Sequence, residues 1–260
     1  MTAAGNVGVG DRRAAAVLFD IDGTVLRPGC HLQRAHMQSM AEAVEQVAGV
    51  PAEFRYRADG LYVRDRSLSG FTDAGTIALI LEGGGVPRDE QDEACEHVVE
   101  AMTCRLLAAI DGIDSRGDLL PGVAALVRDL QDAGVMVGLS TGNARAVAAC
   151  KMRAIGLDGL EALGGFGDRQ SVRASITRSA VSSVRGHAAA ASCVLNEADI
   201  VLIGDTPSDV RAAQAAGIRS LAVATGDADF ELLKDAGPDS IAKSLLDVCV
   251  ADLVPLSPRR

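Results

Sequence analysis

The hydrophobic positions of the chain change rhythm twice. A short unbroken apolar run at 17–19 ends in a carboxylate, Asp20. That is the pattern of a buried strand, and the carboxyl end of such a strand is where open α/β sheets place ligands. From there to about 118 the apolar and small residues recur at helical spacing. They do so at Leu32, Ala35, Met37, Met40, Val44 and Val47, again over 72–81, and at Cys95, Val98, Val99, Met102, Leu106 and Leu107 within 89–110. Gly49-Val50-Pro51 and Gly83-Gly84-Gly85 end the first two of these helices. Nothing between 28 and 118 reads convincingly as a strand.

Past Leu119-Leu120-Pro121-Gly122 the rhythm alternates. Strand patterns at 135–139, 160–166, 200–203, 220–224 and 240–241 are separated by helical ones at 123–133, 144–155, 171–187, 210–216 and 230–236. Such alternation predicts an α/β fold, a doubly wound parallel sheet of Rossmann-like type covered on both faces. The helical stretch interrupts it after the first strand, as an inserted α-helical cap. The expected boundaries are a discontinuous core of 14–27 plus 119–252, a cap of 28–118, and flexible tails at 1–13 and 254–260. No internal repeat is present.

Composition narrows the partners. The chain of 260 residues is 48% hydrophobic but only 3% aromatic, so Ala, Val and Leu must fill the core. A net charge of −10 opposes the phosphate neutralisation that drives nucleic-acid binding, and few aromatics are available to stack bases. The six cysteines contain no CxxC pair, which excludes a zinc ribbon, and reads as reduced core residues. The apolar run before Asp20 is too short for a signal core or a membrane span. A cytoplasmic protein with no nucleic-acid and no membrane partner is expected; its oligomeric state is not legible.

Four stretches fall at the carboxyl ends of different strands: 20–24, 141–143, 167–173 and 204–209. A parallel sheet brings them to one edge. Asp20 and Asp22 read as a nucleophile beside a general acid/base, with Gly23 permitting the turn and Thr24 supplying a hydroxyl. Two acidic clusters meeting there would repel each other, and a hard divalent cation such as Mg²⁺ would relieve that.

The motifs FDIDGT, LSTGN and GDTPSD, in that order, resemble those of the haloacid-dehalogenase superfamily of aspartate-nucleophile hydrolases, in its phosphoglycolate-phosphatase-like branch with a helical cap. The resemblance spans about 17–245. It implies that Asp20 attacks phosphorus to form an aspartyl-phosphate and that Asp22 is the acid/base, its backbone carbonyl a metal ligand. It implies that Thr141, rather than Ser140, bonds the phosphoryl group. Gly23, Thr24, Gly142 and Asn143 would line the substrate loop, and Asp205 and Asp209 would complete a Mg²⁺ site with Asp20 and Asp22. The basic residue is the departure, because the lysine usual in the third motif is missing. Arg173 takes its place, with Arg169 and Arg178 as neighbours of no role. The rival, Lys151, lies eight residues past Asn143, about 12 Å along a helix and away from the sheet edge.

Dehalogenases of the superfamily lack the second aspartate, so Asp22 implies phosphate chemistry. The expected activity is hydrolysis of a small phosphorylated metabolite, phosphoglycolate or a sugar phosphate. The alternatives are a sugar phosphomutase and a non-catalytic binding protein that keeps the fold. Thr72 and Asp73, in a Gly-x-Thr-Asp stretch of the cap, are either chamber residues or helix caps. The run Arg55, Arg57, Arg64 and Arg66 either clamps a second anionic group or is a solvated face paired with Asp59 and Asp65. His31, His36, His97 and His187 fit no ligand spacing.

Overall fold

The computed structural model describes residues 14–57 and 60–254. Strand β1 (Ala16–Phe19) is buried throughout. Its odd and even residues face opposite layers, as period-2 geometry requires. Val17 and Phe19 join one apolar cluster, whereas Ala16 and Leu18 join another. A strand covered on both faces reads as a continuous apolar run.

The chain then leaves the sheet. Helix α1 (His31–Ala48) is followed by three short strands, β2 (Phe54–Arg57), β3 (Gly60–Val63) and β4 (Arg66–Ser67), then α2 (Asp73–Gly83) and α3 (Gln91–Ile110). It returns through α4 (Val123–Asp132), β5 (Met136–Ser140), α5 (Arg145–Ala154), β6 (Gly164–Gly165), α6 (Arg173–Ala190), β7 (Ile200–Gly204), α7 (Pro207–Ala216), β8 (Arg219–Val223), α8 (Phe230–Asp235), β9 (Ser240–Ala242) and α9 (Val250–Leu253). The main sheet has the order β6-β5-β1-β7-β8-β9 and every pairing in it is parallel. β1 sits in the middle, between β5 and β7, so the ends of all three neighbour Asp20. The outgoing and returning segments pair where they cross: Arg27 N–H donates to Asp118 O and Leu120 N–H to Val25 O, both at 2.9 Å.

The larger cluster holds α4 and α5 against Val17, Phe19, Val201 and Ile203, and it runs on into the cap. There α1 packs along α3, and Met40, Val44, Met102 and Leu106 are fully buried. Burying Phe19 completely is worth roughly 2–3 kcal/mol. The smaller cluster sets Val184 of α6 and Ala213 of α7 against Leu18 and Leu202.

Four expectations need correction. The cap is not wholly helical: β2, β3 and β4 form an antiparallel sheet. The stretch 160–166 is a 3₁₀ turn at Leu160–Ala162 followed by the two-residue β6. Val254, placed in the C-terminal tail, is 2% exposed and packs in the larger cluster. Of the cysteines, Cys30 and Cys150 are buried but Cys104 and Cys249 are exposed, all unpaired. The tails at 1–13 and 255–260 lie outside the described residues. Among those described, no helix is long and apolar enough to cross a membrane.

Candidate active site

Asp20 follows β1 directly and its N–H donates to Ile203 O at 2.9 Å, so the sheet itself fixes the carboxylate's root. Three N–H groups then converge on Ile21 O, from Thr24, Val25 and Leu26, closing a tight turn. Gly23 makes the turn possible. It sits at φ +96°, and a Cβ there would lie 2.2 Å from Asp205 Oδ2. Asp205, just past β7, therefore reaches under the loop. Thr24 Oγ1 donates to Asp205 Oδ1 at 3.0 Å.

Asp209 is tied down on one oxygen by its own helix. Thr206 caps α7, and Asp209 Oδ2 accepts from both the Thr206 N–H and hydroxyl. Its other oxygen faces Arg173. Arg173 opens α6, and its Nη2 lies 2.6 Å from Asp209 Oδ1 and 2.5 Å from Asp20 Oδ1. One buried guanidinium thus bridges the nucleophile candidate and the second acid of GDTPSD.

Asp20, Asp205 and Asp209 bring carboxylate oxygens within 4.8 Å of one another. Burial pushes Asp20 up to about 6, Arg173 opposes that, and Asp209 and Asp22 add to it. Burial and the same crowding raise Asp205 well above the usual carboxylate range. One arginine contacts two of these three buried acids, leaving an electrostatic deficit that a divalent cation would relieve, and an all-oxygen donor set suits a hard ion.

Asp22 lives in a different setting. Lys151 Nζ contacts its two oxygens at 2.7 and 2.8 Å, and Asn143 Nδ2 donates to one of them at 3.0 Å. Burial works to raise its pKa, but Lys151, then His36, and the hydrogen bonds outweigh that and hold it below the usual range. This overturns the distance argument against Lys151. The side chain is fully buried and does reach the first motif. Side chains on a helix lean toward its N-terminus, so the long Lys151 side chain recovers distance toward the site that its backbone position loses.

Thr141 and Asn143 line the chamber beside Asp20, Asp22 and Asp205, with Gly142 between them. Ser140 points elsewhere, its hydroxyl 3.1 Å from that of Thr177. The cap is docked on this loop. Asp73 N–H donates to Gly142 O at 2.8 Å, Ala74 N–H to Gly167 O at 3.2 Å, and Asp73 Oδ2 accepts from Ala144 N–H at 2.7 Å. A Cβ on Gly142 would lie 2.4 Å from Phe71 O, so only glycine admits this approach. Thr72 Oγ1 caps α2 by accepting from Gly75 N–H, and both Thr72 and Asp73 face the chamber.

None of the four cap arginines lines the chamber. Arg55 pairs with Glu53 and Arg57 with Asp65 at the surface; Asp59 lies outside the described residues. Arg169 pairs with Glu96, and Arg178 bonds Ser175, away from the acids. His36, to which no role was given, is fully buried on the chamber wall. Its signal was its place at i+4 between Leu32 and Met40, a polar residue inside an apolar stripe.

The comparisons agree with this architecture. Residues 14–217 match the model of the haloacid dehalogenase-like hydrolase family. The chain belongs to that family of hydrolases. Solved structures of similar fold include β-phosphoglucomutase from Clostridium difficile, at 18% identity and TM-score 0.64 over 92% of this chain and 95% of that one. CbbY from Rhodobacter sphaeroides, in complex with phosphate, matches at 20% identity and TM-score 0.64, over 92% and 99%. A predicted phosphoglycolate phosphatase from Haemophilus somnus matches at 18% and 0.57, over 92% and 97%. A search of curated proteins finds no match.

Proposed function

We propose that the chain is a Mg²⁺-dependent phosphatase that hydrolyses a small-metabolite phosphomonoester, with residues 28–118 acting as its substrate cap. The observation that carries this reading is the convergence of Asp20, Asp205 and Asp209 beside a separately held Asp22. Asp20 attacks phosphorus along the line of the ester bond, forming an aspartyl-phosphate while the P–O bond to the leaving group breaks. Asp22 delivers a proton to the departing oxygen, then takes one from the water that attacks the aspartyl-phosphate. Its contact with Lys151 favours the ionised form, which suits the second task. The first requires that Asp22 part from Lys151 and carry a proton. Thr141 and the backbone of the Gly142–Asn143 loop hold phosphoryl oxygens, and Arg173 supports the charge on Asp20. Asp20, Asp205, Asp209 and the Asp22 backbone carbonyl would hold Mg²⁺, which when bound neutralises phosphoryl charge as Asp20 approaches.

The test is phosphate release from a generic aryl phosphate. It should require Mg²⁺ and fall to background in Asp20→Asn, and aluminium fluoride should be trapped against Asp20. Persistence of turnover in Asp20→Asn would end the nucleophile assignment.

A further inference from the structure

The chamber carries polar atoms that nothing in the protein satisfies, one residue from each wall. His36 is fully buried, yet neither ring nitrogen has a hydrogen-bond partner. Asp73 Oδ1 lies 3.3 Å from its Nε2, near enough for an ion contact but not aligned as a hydrogen bond. Asn143 is similar. Its amide nitrogen must be the atom facing the Asp22 carboxylate, since only that end donates. Its Oδ1 is then buried and unpaired. Both residues line the same chamber, next to Asp22 and Asp73. A buried polar atom without a partner costs about 1–3 kcal/mol, so two such residues facing one chamber from its two walls mark where a ligand supplies the partner.

The surroundings decide what kind of group that is. Among the described residues, Arg173 is the one arginine or lysine on the chamber wall, and Asp20 and Asp209 already engage it. Lys151 is committed to Asp22. A carboxylate brought beside Asn143 would face Asp22, Asp73 and a carbonyl oxygen. A hydroxyl meets no such conflict. It can donate to Asn143 Oδ1 and exchange a hydrogen bond with His36.

We propose that His36 and Asn143 form the subsite for a hydroxyl on the leaving group, so that the substrate is the phosphate ester of a small polyol or sugar rather than of a hydroxy acid. This rests on the phosphatase reading and narrows it. His36 acts here as a specificity residue and takes no part in proton transfer.

Three probes test it: glycerol 3-phosphate, propyl phosphate with the same carbon skeleton and no hydroxyl, and 2-phosphoglycolate with a carboxylate. A site built to bond a hydroxyl discriminates strongly against an analogue lacking it. The wild-type chain with Mg²⁺ should show kcat/KM for glycerol 3-phosphate at least tenfold above that for either of the others. In His36→Leu the glycerol ester should lose at least tenfold more than the propyl ester, and His36→Gln, which keeps a polar group, should recover part of the preference. Equal losses on both esters, or a wild-type preference for phosphoglycolate, would overturn the subsite. Titration of the three esters into Asp20→Asn measures the same preference without turnover. Absence of hydrolysis with the binding preference intact would sink the phosphatase reading and keep the subsite; hydrolysis without the preference would do the reverse.

Discussion

The two walls of the chamber handle charge in opposite ways. The core wall gathers Asp20, Asp205 and Asp209 in buried positions beside a half-buried Asp22, and meets them with two long cations, Arg173 and Lys151. The cap wall holds one acid, Asp73, and one histidine, while Arg55 and Arg57 of the cap stay outside in surface pairs. The core's cations divide their work. Arg173 serves the nucleophile and Asp209; Lys151 serves the acid/base candidate alone. Charge at the reacting centre is therefore a property of the sheet edge, and the cap contributes shape and hydrogen bonds. The backbone ties from Asp73 and Ala74 to Gly142 and Gly167 join the walls without adding a cation to either.

Breaking the core wall should have the largest effect. Arg173→Ala strips the buried Asp20 and Asp209 of their shared partner, a change that typically costs 3–5 kcal/mol. Inhibition by inorganic phosphate should weaken by about 10²-fold or more, against a much smaller change in Lys151→Ala. Equal losses would mean the two cations are not divided as the contacts imply. Lys151→Met has its own signature. Without the ammonium the pKa of Asp22 rises, so the acid limb of the rate profile, below which Asp22 can no longer accept a proton, moves to higher pH. An unshifted limb would separate Lys151 from the chemistry.

The next effect concerns the unrelieved acids. Asp20 titrates at about 6 when folded, against 3.8 in its unperturbed state. A folded value above the unfolded one means that this group's contribution to stability is present below about 3.8 and is lost as pH rises through about 6. Mg²⁺ should reverse that loss, because its ligands must be deprotonated and binding releases their protons. The rise in melting temperature on adding saturating Mg²⁺ should be several degrees at pH 8 and should shrink markedly at pH 5.5. A shift independent of pH would place the cation away from Asp20 and Asp205.

The core was legible because its cues are local. Each central strand is an apolar run that ends at a chemical motif, so Val17–Asp20 and Ile200–Asp205 announce both element and site. The cap sheet was missed for two physical reasons. Phe54, Arg55, Tyr56 and Arg57 do alternate with period 2, but four residues are short evidence beside strong helical patterns. The turn from β3 to β4 is Arg64-Asp65, with Arg64 at φ +53°, where hairpins usually announce themselves with Asn-Gly or Asp-Gly. β6 is two glycines and offers no apolar run at all. Lys151 and His36 were hidden for another reason. Helical spacing assigns a residue to a face, but what that face looks at depends on how the helix crosses its neighbours. The motif residues needed no such information, since the sheet's parallel order alone brings them together.

The smallest effect is the one that makes the contrast between the walls quantitative. Arg55 and Arg57 pair with Glu53 and Asp65 in side chains that are largely solvent-exposed. Exposed pairs gain little, since water screens the attraction and ordering two long side chains offsets it. They also stand off the chamber wall, so neither can meet a group carried by a bound ester. Arg55→Ala and Arg57→Ala, singly or together, should leave kcat/KM for any of the three esters within about twofold. They should move the melting temperature by no more than about 1 °C, at low or high salt alike. Their neighbour Arg64 is the control within the same run. Its guanidinium lies so close to Gly83 that a Cβ there would collide with it, and its backbone holds the β3–β4 turn. Arg64→Ala should therefore lower the melting temperature measurably while the other two do not. Should Arg55→Ala instead raise KM tenfold for a doubly charged ester, the cap would have to swing that strand inward on binding, and the division of charge between the two walls would hold only for the free protein.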